Sequence, residues 1–162
     1  MVRQLMRASC SIAAGIAVLC ALAAFAALHA QPAVAANSAS ADKPFAEHHL
    51  VLQLSDDDAK KQSLVISVAN NLLKFYGPDR IAIEVVTFGP GIALVRADSP
   101  NRQYVDSLVA QGVKFDVCMN TVNTIKRETG HAPPLNPNAK PVETGVAEIL
   151  TLTENGYTLV RP

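Results

Sequence analysis

A chain of 162 residues with 14 basic and 14 acidic side chains has room for one compact domain and no net charge with which to hold a polyanion. Three Tyr, five Phe and no Trp give few rings for base stacking, so nucleic-acid binding is excluded as the main task. An apolar half of the composition, crowded into the first 35 positions, also excludes a disordered chain, a collagen-like chain and a polytopic membrane protein.

Residues 1–35 carry Arg3 and Arg7 with no acid, then an apolar run over residues 9–28, then Ala33-Val34-Ala35. Basic, apolar and small residues in that order read as a secretory signal peptide ending in an A-x-A cleavage site. The alternative is an uncleaved inner-membrane anchor, since about 20 apolar residues suffice to cross a bilayer. The run is dominated by Ala, which inserts weakly, so cleavage and a periplasmic mature chain without stable membrane insertion are the first reading. Neither Cys10 nor Cys20 stands in a lipoprotein context and no Arg-Arg pair is present, which favours export unfolded. Cleavage removes both cysteines and leaves Cys118 as the single thiol, with no internal disulfide.

Residues 36–47 read as a flexible linker, and the ordered domain as residues 48–162. Residues 49–54 form a short buried strand. Ser55-Asp56-Asp57-Asp58 then supplies a helix cap and an acidic first turn, which accounts for the acids without a metal. The following helix runs to Tyr76 with Leu64, Val65, Val68, Ala69, Leu72 and Leu73 on its buried stripe, and Gly77-Pro78 stops it. A second strand covers residues 81–87 and closes at Gly89-Pro90-Gly91. A short helical turn over residues 92–97 precedes a helix capped by Ser99 with Pro100 at its first position. A third strand at residues 113–117, a helix at 120–128 and a proline-rich loop at 130–141 follow. A strand at 140–142, a helix at 145–154 and a last strand at 157–160 complete the chain. Alternating strands and helices imply a three-layer α/β/α sandwich, flavodoxin-like, with a mainly parallel five-stranded sheet.

Cys118 is the sharpest chemical feature. It closes the third strand, at the carboxyl edge where parallel sheets gather ligands, and Asn120 and Thr121 open a helix whose amides favour a thiolate. A buried structural cysteine is the competing explanation. Gly89 and Gly91 could let the backbone approach a ligand, although a turn explains them too. His48 and His49 face opposite sides of a strand and cannot chelate together. His131 could reach Cys118 from the proline-rich loop, with a solvated loop histidine as the default. No Ser-His-Asp set, paired carboxylates or phosphate loop stands out, and no metal or cofactor is expected.

The segments I-E-V-V-T-F-G-P-G at residues 83–91, G-V-K-F-D-V-C-M-N-T at 112–121 and V-E-T-G-V-A-E-I-L at 142–150, with E-N-G-Y at 154–157 and the final Pro162, resemble the DsrE/DsrF-like family. The resemblance covers about residues 48–162. It implies a small flavodoxin-like domain that assembles as a homo-oligomer, a trimer or hexamer. It also implies a sulfur relay in which one cysteine, here Cys118, carries sulfane sulfur as a persulfide between donor and acceptor. Export sets this chain apart from the cytoplasmic relay members and argues against tRNA thiolation.

The first reading is therefore an exported thiol-based sulfur carrier, with Cys118 as the reacting residue and Asn120, Thr121, Gly89 and Gly91 as binding residues. Whether such a carrier counts as an enzyme is left open. The alternative is a non-catalytic oligomeric small-ligand-binding or structural module with an incidental cysteine. The loop at residues 130–141 is expected to act as a lid over the thiol.

Overall fold

The computed structural model describes residues 43–162, so the expected signal peptide and cleavage site, Cys10, Cys20 and residues 36–42 of the expected linker lie outside the described residues. In chain order the elements are β1 (His48–Leu54), α1 (Ala59–Tyr76), β2 (Ile81–Thr87), a 3-10 helix (Gly89–Val95), α2 (Arg102–Ala110), β3 (Lys114–Cys118), α3 (Met119–Thr129), β4 (Lys140–Val142), α4 (Gly145–Glu154) and β5 (Thr158–Val160). The five strands are all parallel, in the order β4-β3-β2-β1-β5. This is the α/β class read from the sequence and is consistent with a flavodoxin-like arrangement.

The two faces of the sheet are covered differently. Val65, Ile66, Ala69 and Leu73 of α1, Val105 and Leu108 of α2, the 3-10 helix and Val122 of α3 pack on Leu52, Ile83, Val85, Phe115 and Val117. Full burial of each large aliphatic side chain there contributes about 1.5–3 kcal/mol. Among the described helices only α4 packs on the other face, through Ile149 and Leu152 against Val51, Ala82 and Val86. The first three crossovers thus share one face, and α4 returns across the opposite face from β4 to β5. Adjacent strands β3 and β4 send their following helices to opposite faces, which opens a crevice at their carboxyl ends. Cys118 stands in that crevice, in register with Val142.

Several local expectations shift by a few residues. The cap of α1 is Asp58, whose Oδ1 accepts the N–H groups of Lys60 and Lys61 at 2.9 Å each, and not Ser55. The acids therefore precede the helix and none lies in its first turn. Leu64 is exposed, and Ile66 takes its place on the buried stripe. α2 begins at Arg102 behind Asn101, two residues beyond Pro100. Gly89-Pro90-Gly91 opens the 3-10 helix and does not form a separate turn.

Residues 43–47, read as linker, are tied to the domain. Lys43 Nζ donates to the carbonyls of Pro78, Ile81 and Gln111 at 2.7, 3.1 and 3.2 Å, and Arg80 pairs with Glu47 at 2.8 Å. These acceptors are scattered along the chain and become neighbours only in the fold.

The proline-rich loop is not a lid. α3 runs back antiparallel to β3, so its 11 residues carry the chain to the amino edge of the sheet, away from Cys118. There Ala97 N–H donates to the Pro134 carbonyl at 3.0 Å and Asn136 N–H to that of Val95 at 2.9 Å. Asn136 Nδ2 also donates to Asp106 at 2.7 Å, which pins the loop to α2. His131 shares this remote position, its Nδ1 lying 3.0 Å from the Thr129 carbonyl, as a solvated loop histidine.

Candidate functional site

Cys118 ends β3 and is the residue preceding the first turn of α3. It is 5% exposed and is the one free cysteine among the described residues. Burial acts to raise the pKa of its thiol. The N–H of Gly145, the N–H and hydroxyl of Thr121 and the N–H of Asn120 act the other way and prevail, holding it below its ordinary value.

Those amides belong to two helices that begin at the same point. Asn120 and Thr121 lie in the first turn of α3, and Gly145 is the first residue of α4. Each N-terminus presents amides without helical partners and a partial positive charge. Asn120 fastens the two together: its Nδ2 donates to Thr144 Oγ1 at 2.9 Å and its N–H to the Glu143 carbonyl at 3.2 Å. Thr121 Oγ1 accepts the Gly89 N–H at 2.9 Å, which frees its own hydrogen for the sulfur.

The site residues read from the sequence thus divide. Cys118, Asn120, Thr121 and Gly89 come together. Gly91 does not join them; it lies under the strand end, where a Cβ would collide with the Leu54 carbonyl, its carbon 2.7 Å away. Gly91 therefore serves close packing. An open cleft of about 570 Å³ lies beside the site, lined by Gly89, Pro90, Ile92, Arg96, Asn120 and Thr121 among others. Cys118 does not line it; Thr121 stands at the boundary.

Gly145 went unnoticed in the sequence, although a Gly directly after Thr144 at a helix start is a signal for close approach. The carboxylates behind the site also went unnoticed, and the expectation of no paired carboxylates is overturned. Glu84 of β2 and Asp116 of β3 are 1% and 0% exposed and point to the face that carries α4. One oxygen of each, with one of Glu148 on α4, lies within 4.8 Å of the others. Lys114 Nζ stands 3.5 Å from Glu84 Oε1, and Lys140 Nζ 3.8 Å from Asp116 Oδ1 and 3.3 Å from Glu148 Oε1. These two ammonium groups supply positive charge where a cation would sit, so no metal is assigned to the cluster. Burial first and Glu84 second, opposed by Lys140, push the Asp116 carboxyl up to about 8. The signal in the sequence was a lone acid inside each apolar strand, in I-E-V-V and F-D-V-C.

The sheet order and helix placement define an α/β domain with a DsrE/YchN-type fold. The MTH1491 protein of Methanobacterium thermoautotrophicum, a protein of unknown function, is similar to it at 30% identity and a TM-score of 0.64, over 72% of this chain and 100% of its own. The YchN protein of E. coli shares the fold at 16% identity and a TM-score of 0.56, over 71% of this chain and 99% of its own. No family model and no curated protein matches the chain.

Proposed function

We propose that this chain is an exported member of the DsrE/DsrF-like sulfur-relay family, in which Cys118 accepts and donates one sulfane sulfur as a persulfide. The observation that carries the reading is the convergence of two helix N-termini on the one cysteine of the described domain. A buried thiol kept only for packing has no need of amides that favour its anion. The Cys118 thiolate attacks the outer sulfur of a donor persulfide or polysulfide; the new S–S bond forms as the donor's breaks, and the donor leaves as a thiolate or as a polysulfide one sulfur shorter. An acceptor thiolate then attacks the outer sulfur of the Cys118 persulfide and releases the Cys118 thiolate, so no external oxidant or reductant is consumed. The basic, apolar and A-x-A order of residues 1–35 supports export to the periplasm, and N-terminal sequencing of the mature protein, with a start near Ala36, checks it.

The test of the chemistry is incubation with polysulfide followed by intact-mass measurement. The expected result is addition of sulfur that a reductant removes and that Cys118→Ser abolishes. A Cys118 inert to polysulfide and to a small alkylating agent overturns the reading. The cleft beside Thr121 would then favour the ligand-binding module.

A further inference from the structure

Both Asp116 oxygens and Glu84 Oε2 are buried without a hydrogen-bond donor, whereas Glu84 Oε1 accepts from the Tyr157 hydroxyl at 3.3 Å and faces Lys114. Two facing carboxylates buried to this degree cannot both hold their charge in an apolar layer, and a single proton between them supplies the missing donor. The surrounding charges agree. The groups facing the pair are Lys114 on β3, Lys140 on β4, Glu148 on α4 and Tyr157, with His49 of β1 against the Tyr157 ring and Lys43 near Lys114. Among the described residues in ion-pair range, three carboxylates, Glu84, Asp116 and Glu148, stand against the ammonium groups of Lys114 and Lys140.

We propose that Asp116 and Glu84 share one proton, and that this proton seats the first turn of α4 on Cys118, which makes Asp116 a positioning residue for the thiol. The geometry links the two ends. Asp116 and Cys118 are alternate residues of β3 and share the face that α4 covers. Glu148 meets the carboxyl cluster in the first turn of α4, the same turn whose Gly145 N–H faces the sulfur. Loss of the proton sets Asp116 against both Glu84 and Glu148. β2 and β3 are held by their backbone ladder and cannot part. α4 packs on the sheet through side chains, so beyond the start that Asn120 ties to α3 it is the element that yields, and its shift loosens the Gly145 amide from Cys118.

The inference borrows from the sulfur-carrier reading only the reactivity of Cys118, and two readouts on the full chain keep them apart. The first is the rate of Cys118 alkylation by iodoacetamide against pH. In the wild type the rate rises over a broad pH range, because ionisation of Asp116 near pH 8 withdraws the Gly145 amide while the thiol is still titrating. Asp116→Asn, neutral at every pH, gives a steeper rise with a lower midpoint. The second is the chemical shift of the Gly145 amide and of the Asp116 carboxyl carbon in the wild type, which requires no variant to fold. Both are expected to titrate together near pH 8. An Asp116 carboxyl already ionised at neutral pH, a Gly145 amide that ignores its titration, or a midpoint of Cys118 alkylation left unchanged by Asp116→Asn overturns the proposal. If Cys118 resists alkylation while the two shifts still move together, the proton-linked seating of α4 stands and the sulfur-carrier reading fails.

Discussion

Gly145 lies so close to Cys118 that a Cβ on it would stand 3.3 Å from the Cβ of the cysteine and 3.2 Å from that of Phe88. Both neighbours are near their backbones, so they can give little, and Gly145→Ala pushes the start of α4 outward. The expected outcome is a several-fold slower alkylation of Cys118 at neutral pH, with a stability loss of about 1–3 kcal/mol for the overpacking. Thiol titration followed by ultraviolet absorbance checks the cause: the Cys118 midpoint should move up as one amide is withdrawn. An unchanged midpoint would assign the thiolate's support to α3 alone.

Thr121 relays a hydrogen bond, taking one from Gly89 N–H and giving one toward sulfur. Thr121→Val keeps the shape and removes both, leaving the part-buried Gly89 N–H without its acceptor. The loss should be about 1–2 kcal/mol in urea unfolding, together with a raised Cys118 pKa. Thr121→Ser keeps the hydroxyl and should restore the pKa. If Ser and Val behave alike, the methyl group matters and the relay does not.

Asp116 makes stability depend on pH in a direction unusual for a carboxylate. Its folded pKa, about 8, lies above the unfolded value near 3.8, so the folded state holds a proton that the unfolded state has released. That contribution is fully present below about pH 4 and is lost as pH rises to about 8, with a slope near 1.4 kcal/mol per pH unit from this group alone. Asp116→Asn removes the slope. Denaturation midpoints measured between pH 5 and pH 8 should therefore show the variant gaining on the wild type as pH rises. A constant difference across that range counts against a proton on Asp116.

The outer side of α4 carries Val146 and Leu150, one turn apart and 52% and 57% exposed. They continue the apolar character of the sheet face that carries this one helix among those described, and a second copy of the chain is the occupant that the trimer or hexamer reading implies. Light scattering on the mature protein should give a multiple of the chain mass, and Leu150→Glu should reduce it. A wild-type monomer at micromolar concentration would remove the assembly from the account.

Much of the fold was legible because glycine and proline punctuate it. β2 over residues 81–87, β4 over 140–142 and α4 over 145–154 were read to the residue, each bounded by such breaks. Cys118, Asn120 and Thr121 were legible as a site because they are contiguous. Gly145 was not, since its approach to Cys118 depends on β4 lying beside β3 and on α4 leaving to the opposite face from α3. Glu84 and Asp116 were hidden for a related reason. Each looks like an isolated acid in its own strand, and only the pairing that sets Val86 beside Asp116 and Glu84 beside Lys114 brings them together. The lid failed on direction: a helix after a parallel strand takes the chain to the wrong edge of the sheet.

β1 and β5 are the first and last strands of the described chain, yet they are hydrogen-bonded neighbours. A polypeptide emerging amino end first from a ribosome or a membrane pore therefore shows one edge of β1, and the apolar patch of Val51, Ala82 and Val86, until α4 and β5 have followed. During that interval Cys118 already has α3 beside it but lacks Gly145. The thiol gains its second helix terminus only when the domain closes, so the set of amides that favours its thiolate is complete only in the folded domain.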